Sequence, residues 1–427
     1  MSKNEHLKSL VSIRWRKKIK AWGERFLRKA KVDEIEVTEA TLGKTREEKK
    51  PVVVIWSAIS YDFRHQRPQE WAERLAADGY LVIYVENEFL TAADRRRPPF
   101  KVVRRKENLW LLTLSADQNQ FIYVDIPGTK TREVIKRSWQ RFKKWSGVGV
   151  ATFLMEHPFW GNMEWLKTTT SGGKTIYEIF DYHEGFDLKA KNLAIIEKDL
   201  AQTSDKVIVS SEFLVTLVKD KYRVAAKKIT KIGNGVALES FSIPEKRKKL
   251  VDGGKKVIGY CGAIEEWLDV ELLEMILKAY PEAELRLIGR VNNKSVKKLS
   301  QKYENLTLRG EIPYAKVPQE VTEFDAALIP FLLTDLIKAT SPVKYFEYLA
   351  LGKAVVSVDL PELNDYGSDL VYLGKNRADF VAKIKMALAE SELSYDKIEK
   401  LATKRRKVAQ MNSWQEKYQA LKKVINQ

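Results

Sequence analysis

The chain alternates short apolar runs with helical segments, and this alternation limits its fold more than any other feature. Runs typical of buried strands begin with VVVIW at 52–56 and YLVIYV at 80–85, and they recur as far as AVVSV at 354–358. Strands that are apolar along their whole length are typical of parallel sheets covered by helices on both faces. The pattern therefore predicts an α/β protein.

A charged stretch, IPEKRKKLVDGGKK at 243–256, interrupts the alternation, which restarts with VIGY at 257–260. A chain of 427 residues has room for two domains, since one domain usually takes ~100–200 residues. We expect two doubly wound, Rossmann-like domains that face each other across a cleft. The predicted parts are a basic amphipathic helix and linker at 1–50, a first domain at 51–240, a second at 241–410, and a helix at 411–427 that packs back toward the first domain.

Composition and motifs exclude several classes of protein. With one cysteine, Cys261, the chain has no disulfide framework and no cysteine zinc site, and four histidines leave little for a histidine metal cluster. No apolar run reaches the ~18–20 residues that span a bilayer, and the N-terminus lacks the apolar core of a signal peptide. A GxGxxG loop after a first strand, a GxxxxGK[ST] loop and a GxSxG motif are all absent. We expect a soluble, intracellular protein with no metal ion and no bound cofactor.

The positive charge of the chain is clustered. The formal net charge is +18. Residues 1–50 carry 15 basic and 8 acidic residues, and residues 101–150 carry 11 and 4. A clustered positive field attracts polyanions, which include nucleic acid, anionic lipid and anionic glycans. Because no recognisable nucleic-acid module is present, we expect no nucleic-acid partner.

Two basic segments have apolar residues at helical spacing. In residues 7–26 the apolar stripe includes two tryptophans and lies opposite lysines and arginines, which is typical of a helix lying in an anionic membrane surface. In residues 131–145 a similar stripe contains Ile135, Trp139 and Phe142. Either stripe contacts a membrane, or it packs on the protein core or on a partner subunit.

The stretch ATSPVKYFEYLALGKAVVSV at 339–358 predicts an anion-binding helix start. Pro342 suits the beginning of a helix, where its missing N–H is not needed. The free N–H groups of that first turn suit a phosphate, and Lys344 adds a full charge there. Glu347, about one turn further on, is placed to accept two ribose hydroxyls. The alternative is an ordinary helix cap with a solvated glutamate.

The C-terminal half resembles the nucleotide-sugar-binding domain of glycosyltransferase family 4, which has the GT-B fold. The resemblance runs through VIGYCGAIEEWLDVELLEMI, LRLIGR, LTLRGEIPYAKVPQEVTEFDAALIPF and SPVKYFEYLALGKAVV, and covers roughly 210–425. The N-terminal half is similar through IWSAISYDFRHQRPQEWAERLAADGYLVIYVE. Its RPQ variant resembles the teichuronic-acid and capsule or exopolysaccharide branch of these enzymes.

The resemblance implies a donor site in the second domain. In the family, an acidic residue at the position of Glu347 holds the nucleotide ribose. The other residues that the resemblance implies for the nucleotide sugar are Gly262, Ala263, Thr340 and Ser341. Arg290 would neutralise the diphosphate or line the base pocket. We expect Lys344 and Arg290 to take part in catalysis by stabilising the departing diphosphate electrostatically.

The first domain is expected to hold the acceptor. Its first loop, SAISYDFRHQRPQ, contains Arg64, His65 and Arg67, and arginines there could grip a phosphate of a lipid carrier with two hydrogen bonds. The alternative is that Arg67 and Gln69 fix the loop.

Two further histidines each follow an apolar strand, where family members often place a histidine that faces the reacting sugar. His157 lies in MEHPFWG and is expected on the acceptor side. His183 lies in FDYHEGF, and we favour it as a catalytic residue because Asp181 and Glu184 flank it and could orient its ring.

The resemblance implies a retaining, metal-independent glycosyltransferase. It would move a sugar from a nucleotide diphosphate donor to a lipid-linked, cell-surface glycan at the cytoplasmic face of the membrane. One residue departs from the family, which often has a glutamate where this chain has Ala339. The alternative is therefore a non-catalytic GT-B subunit that supports a partner glycosyltransferase.

Overall fold

The computed structural model describes residues 35–36, 50–91, 98–163, 165–166, 173–185, 190–241 and 254–427. The amphipathic helix predicted in residues 1–30 and most of the linker that follows it lie outside the described residues. So does most of the charged stretch at 243–256.

The chain forms two compact units. The first comprises the described residues up to Val209, with Leu214–Lys231 and Val424–Gln427. The second comprises Ser210–Phe213 and Ile232–Lys423. Each unit contains one mainly or wholly parallel sheet with helices between its strands.

The sheet of the first unit is built around a fully apolar strand. Its strands are Ile35–Glu36 (β1), Val52–Trp56 (β2), Leu81–Leu90 (β3), Phe100–Lys106 (β4), Leu109–Ser115 (β5), Thr152–Met155 (β6), Thr175–Ile179 (β7), Lys206–Val209 (β8) and Ile229–Lys231 (β9). Their order is β1-β4-β5-β3-β2-β6-β7-β8-β9. Neighbouring strands are parallel in the part of the sheet that runs β5-β3-β2-β6-β7-β8-β9, whereas β4 runs antiparallel to β1 and β5. In β2, Val54 is level with Ile83 on one side and Phe153 on the other.

Three longer helices accompany this sheet in the part of the chain that the structure describes. They are Arg67–Ala77 (α1), Thr129–Ser146 (α2) and Ala190–Thr203 (α3). A short helix, Glu212–Thr216 (α4), and one π turn, Leu217–Lys221, follow β8. Gly147 ends α2 with φ +70°, a left-handed conformation that glycine adopts at little cost.

The apolar stripe of α2 packs on the core of the first unit. Ile135, Trp139 and Phe142 are fully buried. The Trp139 ring lies 5.0 Å from that of Trp56 on β2, and Phe142 meets Phe100 on β4 edge to face at 5.6 Å. Burial of large aromatic side chains is the main stabilising contribution of such a helix. Of the two alternatives for this stripe, the structure therefore favours core packing over membrane contact.

The second unit has a six-stranded, all-parallel sheet. Its strands are Val257–Cys261 (β10), Glu284–Ile288 (β11), Leu306–Gly310 (β12), Ala326–Ile329 (β13), Val355–Val358 (β14) and Tyr372–Gly374 (β15). Their order is β12-β11-β10-β13-β14-β15. The first strand of this unit, β10, lies near the centre of the sheet, and β11 and β12 are added on one side of it. The chain then crosses back, and β13, β14 and β15 are added on the other side of β10. This is the doubly wound order in which ligands bind at the point where the strand order reverses.

Helices connect the strands of the second unit. They are Val270–Ala279 (α5), Lys294–Lys302 (α6), Val317–Thr322 (α7), Asp335–Lys338 (α8), Val343–Ala350 (α9), Arg377–Glu390 (α10), Tyr395–Met411 (α11) and Trp414–Asn426 (α12). The side chains of Tyr345, Tyr348 and Leu349 bury α9 in the core of the unit. The last residues of α12 belong to the first unit, where Tyr80 donates a hydrogen bond to Asn426.

Within the residues that the structure describes, none of the helices is both long and apolar enough to cross a bilayer.

Candidate functional site

The loop after β10 packs tightly against the start of α9. Gly262 follows β10 at the reversal of strand order and has φ +154°, a backbone conformation that side chains rarely adopt. A Cβ atom placed there would overlap Cε of Lys344 and lie 2.8 Å from its Nζ. A Cβ at Gly289, after β11, would overlap the carbonyl of Gly262. Both positions therefore need glycine, and the Lys344 side chain lies against the loop.

Glu347 lies one helical turn beyond Lys344 on α9. It is half-buried, and Tyr314 donates a hydrogen bond of 2.8 Å to its Oε1. Burial raises the pKa of Glu347, while the Lys344 charge and the Tyr314 hydrogen bond act in the opposite direction. Nearby, burial and the charge of Glu347 raise the pKa of the Cys261 thiol to about 12, with Lys344 opposing them. One carboxylate and one ammonium group thus share the carboxyl end of β10.

The loops after β10 and β11 run side by side. The backbone carbonyl of Arg290 accepts a hydrogen bond from the Ile264 N–H at 2.9 Å. The Tyr260 hydroxyl donates to the carbonyl of Ala263 at 3.0 Å. The structure therefore brings together five of the predicted residues. We call this set the donor cluster: Gly262, Ala263, Arg290, Lys344 and Glu347.

The two hydroxyl residues before α9 have protein partners. Thr340 donates to the carbonyl of Ile337 at 2.7 Å. Ser341 is buried, and its Oγ accepts a hydrogen bond from the Asn234 N–H at 2.9 Å. The Asn234 side chain in turn donates to the carbonyl of Ser341 at 2.9 Å. These bonds anchor the turn that leads into α9, so contact of Thr340 and Ser341 with a diphosphate stays a prediction.

Tyr314 is a residue that sequence reasoning missed. It follows β12, is 51% exposed and is bonded to Glu347. The sequence indicated a role for Tyr314 only through its position in the stretch EIPYAK, which lies in the region of family resemblance. Nothing in the spacing of that stretch links it to α9.

In the first unit, Arg67 forms an ion pair with a buried carboxylate. Its Nε and Nη2 donate to Oε1 of Glu178 on β7 at 2.9 and 2.7 Å, and the guanidinium lies 4.8 Å from the Trp71 ring. The Gln69 side chain donates to the carbonyls of Tyr61 and of Arg64, two residues of the same loop. The expectation that Arg67 grips an acceptor phosphate is therefore corrected, since the structure favours the alternative in which Arg67 and Gln69 fix the loop.

His65 lies on the same loop but faces the first helix. It is half-exposed, and its Nε2 is 3.0 Å from Oε1 of Glu70 on α1. The hydrogen bond to Glu70 raises the pKa of His65 despite partial burial. Arg64 is half-buried, with its guanidinium 6.0 Å from the Phe63 ring. A role for either residue in acceptor binding stays a prediction.

The structure brings His157 and His183 together. They follow the neighbouring parallel strands β6 and β7, and their rings meet edge to face with centroids 4.8 Å apart. The carboxylate that orients His183 is Glu197 on α3, whose Oε1 lies 2.8 Å from Nδ1. The expectation that Asp181 and Glu184 orient the ring is therefore corrected. Sequence reasoning missed Glu197 because an isolated glutamate within a helix carries no signal.

Across the described ranges, no group of three or more His, Cys, Asp or Glu side chains is arranged to hold a metal ion.

Residues 255–390 match the family model described as glycosyl transferases group 1. The chain is also similar to the putative teichuronic acid biosynthesis glycosyltransferase TuaH of Bacillus subtilis (strain 168), with 24% identity over 237 residues. That similarity covers 53% of this chain and 58% of TuaH, so it spans less than two thirds of the relative.

Solved structures share the fold over most of the chain. Sucrose-phosphate synthase from Thermosynechococcus elongatus has a TM-score of 0.67 at 15% identity and covers 88% of this chain and 98% of its own. WaaG, a glycosyltransferase involved in lipopolysaccharide biosynthesis, has a TM-score of 0.60 at 12% identity, with 88% and 99% covered. Anabaena HepE, in complex with UDP and glucose, has a TM-score of 0.61 at 13% identity, with 88% and 99% covered. The predicted α/β fold of the GT-B type is confirmed.

Proposed function

We propose that this protein is a glycosyltransferase whose donor is a nucleotide diphosphate sugar, because residues 255–390 match the group 1 glycosyl transferase family model and the chain has a GT-B fold. The observation that carries the proposal is the donor cluster. Lys344 lies against the glycine loop after β10, at the reversal of strand order, with Glu347 one turn further along the same helix.

The proposed chemistry follows from the charges in the donor cluster. Backbone N–H groups at the start of α9 and the ammonium group of Lys344 bind the diphosphate. Glu347, as a carboxylate, accepts the two ribose hydroxyls, and its hydrogen bond from Tyr314 orients it. Fixed positive groups stabilise the diphosphate most as it departs, because its negative charge is then greatest. Arg290 adds a second cation to this task.

A thermal-shift screen tests donor binding directly. Free UDP, GDP, dTDP and ADP are added to the full chain, and a nucleotide that binds only the folded state raises the melting temperature. Lys344→Ala is expected to abolish the shift, whereas Lys298→Ala, an exposed lysine on α6, leaves it intact. A chain that responds to no nucleoside diphosphate would contradict the proposal.

We also propose that transfer retains the anomeric configuration and needs no metal ion, as the family resemblance implies. The configuration of the product is read by NMR of the anomeric proton. Metal independence is read from the initial rate of nucleoside diphosphate release with and without EDTA. An inverted product, or a rate abolished by EDTA and restored by a divalent cation, would contradict this part of the proposal.

The proposed acceptor is a lipid-linked glycan at the cytoplasmic face of the membrane. The exposed side of α2 supports this assignment, because it carries Arg137, Arg141 and Lys144 at spacings of four and three residues. None of the three has an ion-pair or hydrogen-bond partner among the described residues. Unpaired cations on one helical face attract anionic headgroups. TuaH, which is named for teichuronic acid biosynthesis, supports a cell-envelope glycan as acceptor.

A non-catalytic role is the second candidate. Ala339 follows α8 and is only 1% exposed, and it stands where the family often has a glutamate. A supporting subunit of this kind would bind a nucleoside diphosphate without releasing one from any donor. Measuring diphosphate release from a panel of nucleotide sugars, with a lipid-diphosphate acceptor present, separates the two candidates.

A further inference from the structure

His157 and His183 form a buried pair whose protons are fixed by different neighbours. The two rings lie at the carboxyl ends of β6 and β7, and both are almost entirely buried. Each ring has one nitrogen in a hydrogen bond, and the described residues supply no hydrogen-bond partner for the other nitrogen. The position of the proton on each ring can therefore be worked out from the partner of the bonded nitrogen.

In His157, the bonded nitrogen is an acceptor. The Phe159 N–H donates to its Nδ1 at 3.1 Å, so the hydrogen of the neutral ring must be on Nε2. Burial, together with the charge of His183, lowers the pKa of His157 well below its usual value and keeps the ring neutral. Nε2 is buried and has no hydrogen-bond partner among the described residues. His157 thus holds an unused donor, which a native structure rarely leaves buried without a reason.

In His183, the bonded nitrogen is a donor. Its Nδ1 lies 2.8 Å from Oε1 of Glu197, which also accepts the hydroxyl of Tyr177 at 2.8 Å. The second oxygen of Glu197 accepts the hydroxyl of Tyr222 at 2.8 Å. A carboxyl group that accepts three hydrogen bonds is held as a carboxylate, so the hydrogen of His183 stays on Nδ1. Its Nε2 is then an acceptor when the ring is neutral and a donor when it is charged.

We infer that Glu197 is a positioning residue, which keeps a proton on His183 Nδ1. The His157–His183 pair then presents a hydroxyl-bearing ligand with a donor on His157 and with a nitrogen on His183 that accepts when the ring is neutral and donates when it is charged. Whether that ligand is a sugar rests on the function proposed above. Glu197 itself is fully buried behind His183 and acts through that ring.

Several other groups act on the charge of this pair. Asp181 raises the pKa of His183 together with Glu197, and both act against burial, which alone would lower it. The Tyr123 ring packs edge to face on His157 with centroids 4.6 Å apart. The net result is a raised pKa for His183 and a lowered pKa for Glu197, as expected for a buried acid–base pair.

The inference is tested by ¹⁵N NMR of the full chain labelled at histidine, which is tractable because there are only four histidines. In the wild type, His157 is expected to show the neutral Nε2–H tautomer, and His183 to keep a hydrogen on Nδ1 at every pH at which the protein is folded. Glu197→Gln is expected to lower the titration midpoint of His183 by at least about one pH unit, since the compensating charge is lost. Glu184→Gln is the matched control, because Glu184 also neighbours His183 but bonds to Tyr182 and Lys221.

The wild-type spectrum alone can overturn the inference. A neutral His183 with its hydrogen on Nε2 would do so, even if Glu197→Gln failed to fold. Glu197→Asp keeps the charge and is expected to restore the wild-type proton pattern at least in part. An unchanged His183 titration in folded Glu197→Gln would also overturn the inference.

Activity gives a second readout, which separates this inference from the proposed transferase function. Glu197→Gln is expected to lower kcat at least tenfold and to shift the pH profile, while Glu184→Gln does neither. A wild-type chain that turns over no nucleotide sugar defeats the proposed function but leaves the proton assignment standing. A Glu197→Gln variant with wild-type kcat, KM and pH profile defeats the positioning role.

Discussion

The side chain of Lys344 occupies the space that a Cβ atom on Gly262 would need. The two residues come from different elements, the loop after β10 and the first turn of α9. Their contact places a flexible cation directly on a backbone loop at the reversal of strand order, where parallel α/β sheets bind ligands.

Gly262→Ala is expected to weaken binding of nucleoside diphosphates by about tenfold or more, equivalent to about 1.4 kcal/mol, because the new methyl group displaces Lys344. Isothermal titration calorimetry measures the effect. Gly310→Ala is the matched control, since Gly310 also has a positive φ, +74°, but has open space where its Cβ would lie. Equal losses in both variants would assign the effect to backbone strain rather than to Lys344.

Donor binding is expected to weaken as the pH falls. The loss is expected to begin at a higher pH than it would if Glu347 had the pKa of an ordinary glutamate. Burial raises the pKa of Glu347, and only its carboxylate form accepts ribose hydroxyls, so affinity is full above that pKa and falls as the pH drops through it. Glu347→Gln is expected to bind more weakly and to flatten this limb of the profile. The measurement is Kd against pH; a limb that persists in Glu347→Gln would point to another group.

Arg67→Ala is expected to destabilise the first unit by roughly 3–5 kcal/mol, because it leaves the carboxylate of Glu178 buried without its cation. Trp71 still donates its indole N–H to Glu178, at 3.0 Å, but brings no charge. Arg64→Ala, three residues earlier and half-buried, is the control and is expected to change stability by less than about 1 kcal/mol. Denaturant unfolding measures both, and equal losses would argue against the buried pair.

Reversing the charges on the exposed face of α2 is expected to weaken binding to anionic lipid vesicles by at least about tenfold at low salt, as each basic residue near the surface contributes ~1 kcal/mol. The variant carries Arg137→Glu, Arg141→Glu and Lys144→Glu. Its control carries Lys294→Glu, Lys297→Glu and Lys298→Glu on α6, the same change of charge on another exposed face. The measurement is co-sedimentation with phosphatidylglycerol vesicles.

Two outcomes would argue against α2 as the lipid-binding face. One is equal loss in the two triple variants, which would show a general charge effect. The other is unchanged binding in the α2 variant combined with complete loss when residues 1–30 are deleted, which would assign binding to the N-terminal segment.

Local pattern was enough to predict the sheets and part of the site. The apolar runs VVVIW at 52–56 and AVVSV at 354–358 contain the strands β2 and β14. A strand that is covered by helices on both faces of its sheet is apolar along its whole length, so such a run predicts it. Lys344 and Glu347 share one helix, so their spacing alone placed them one turn apart. Periodicity likewise predicted the helix that carries Trp139.

Partners that are distant in sequence were decided only by the tertiary structure. Helical periodicity in α2 could not say whether protein or lipid covers its stripe, because the spacing reports only the geometry of the helix itself. Arg67 and Glu178 lie 111 residues apart in the sequence. The acids that flank His183 in the sequence are not its hydrogen-bond partner, which is Glu197 on another element. A side chain's role depends on what packs against it, and that packing is settled when strands and helices far apart in the chain bury their surfaces together.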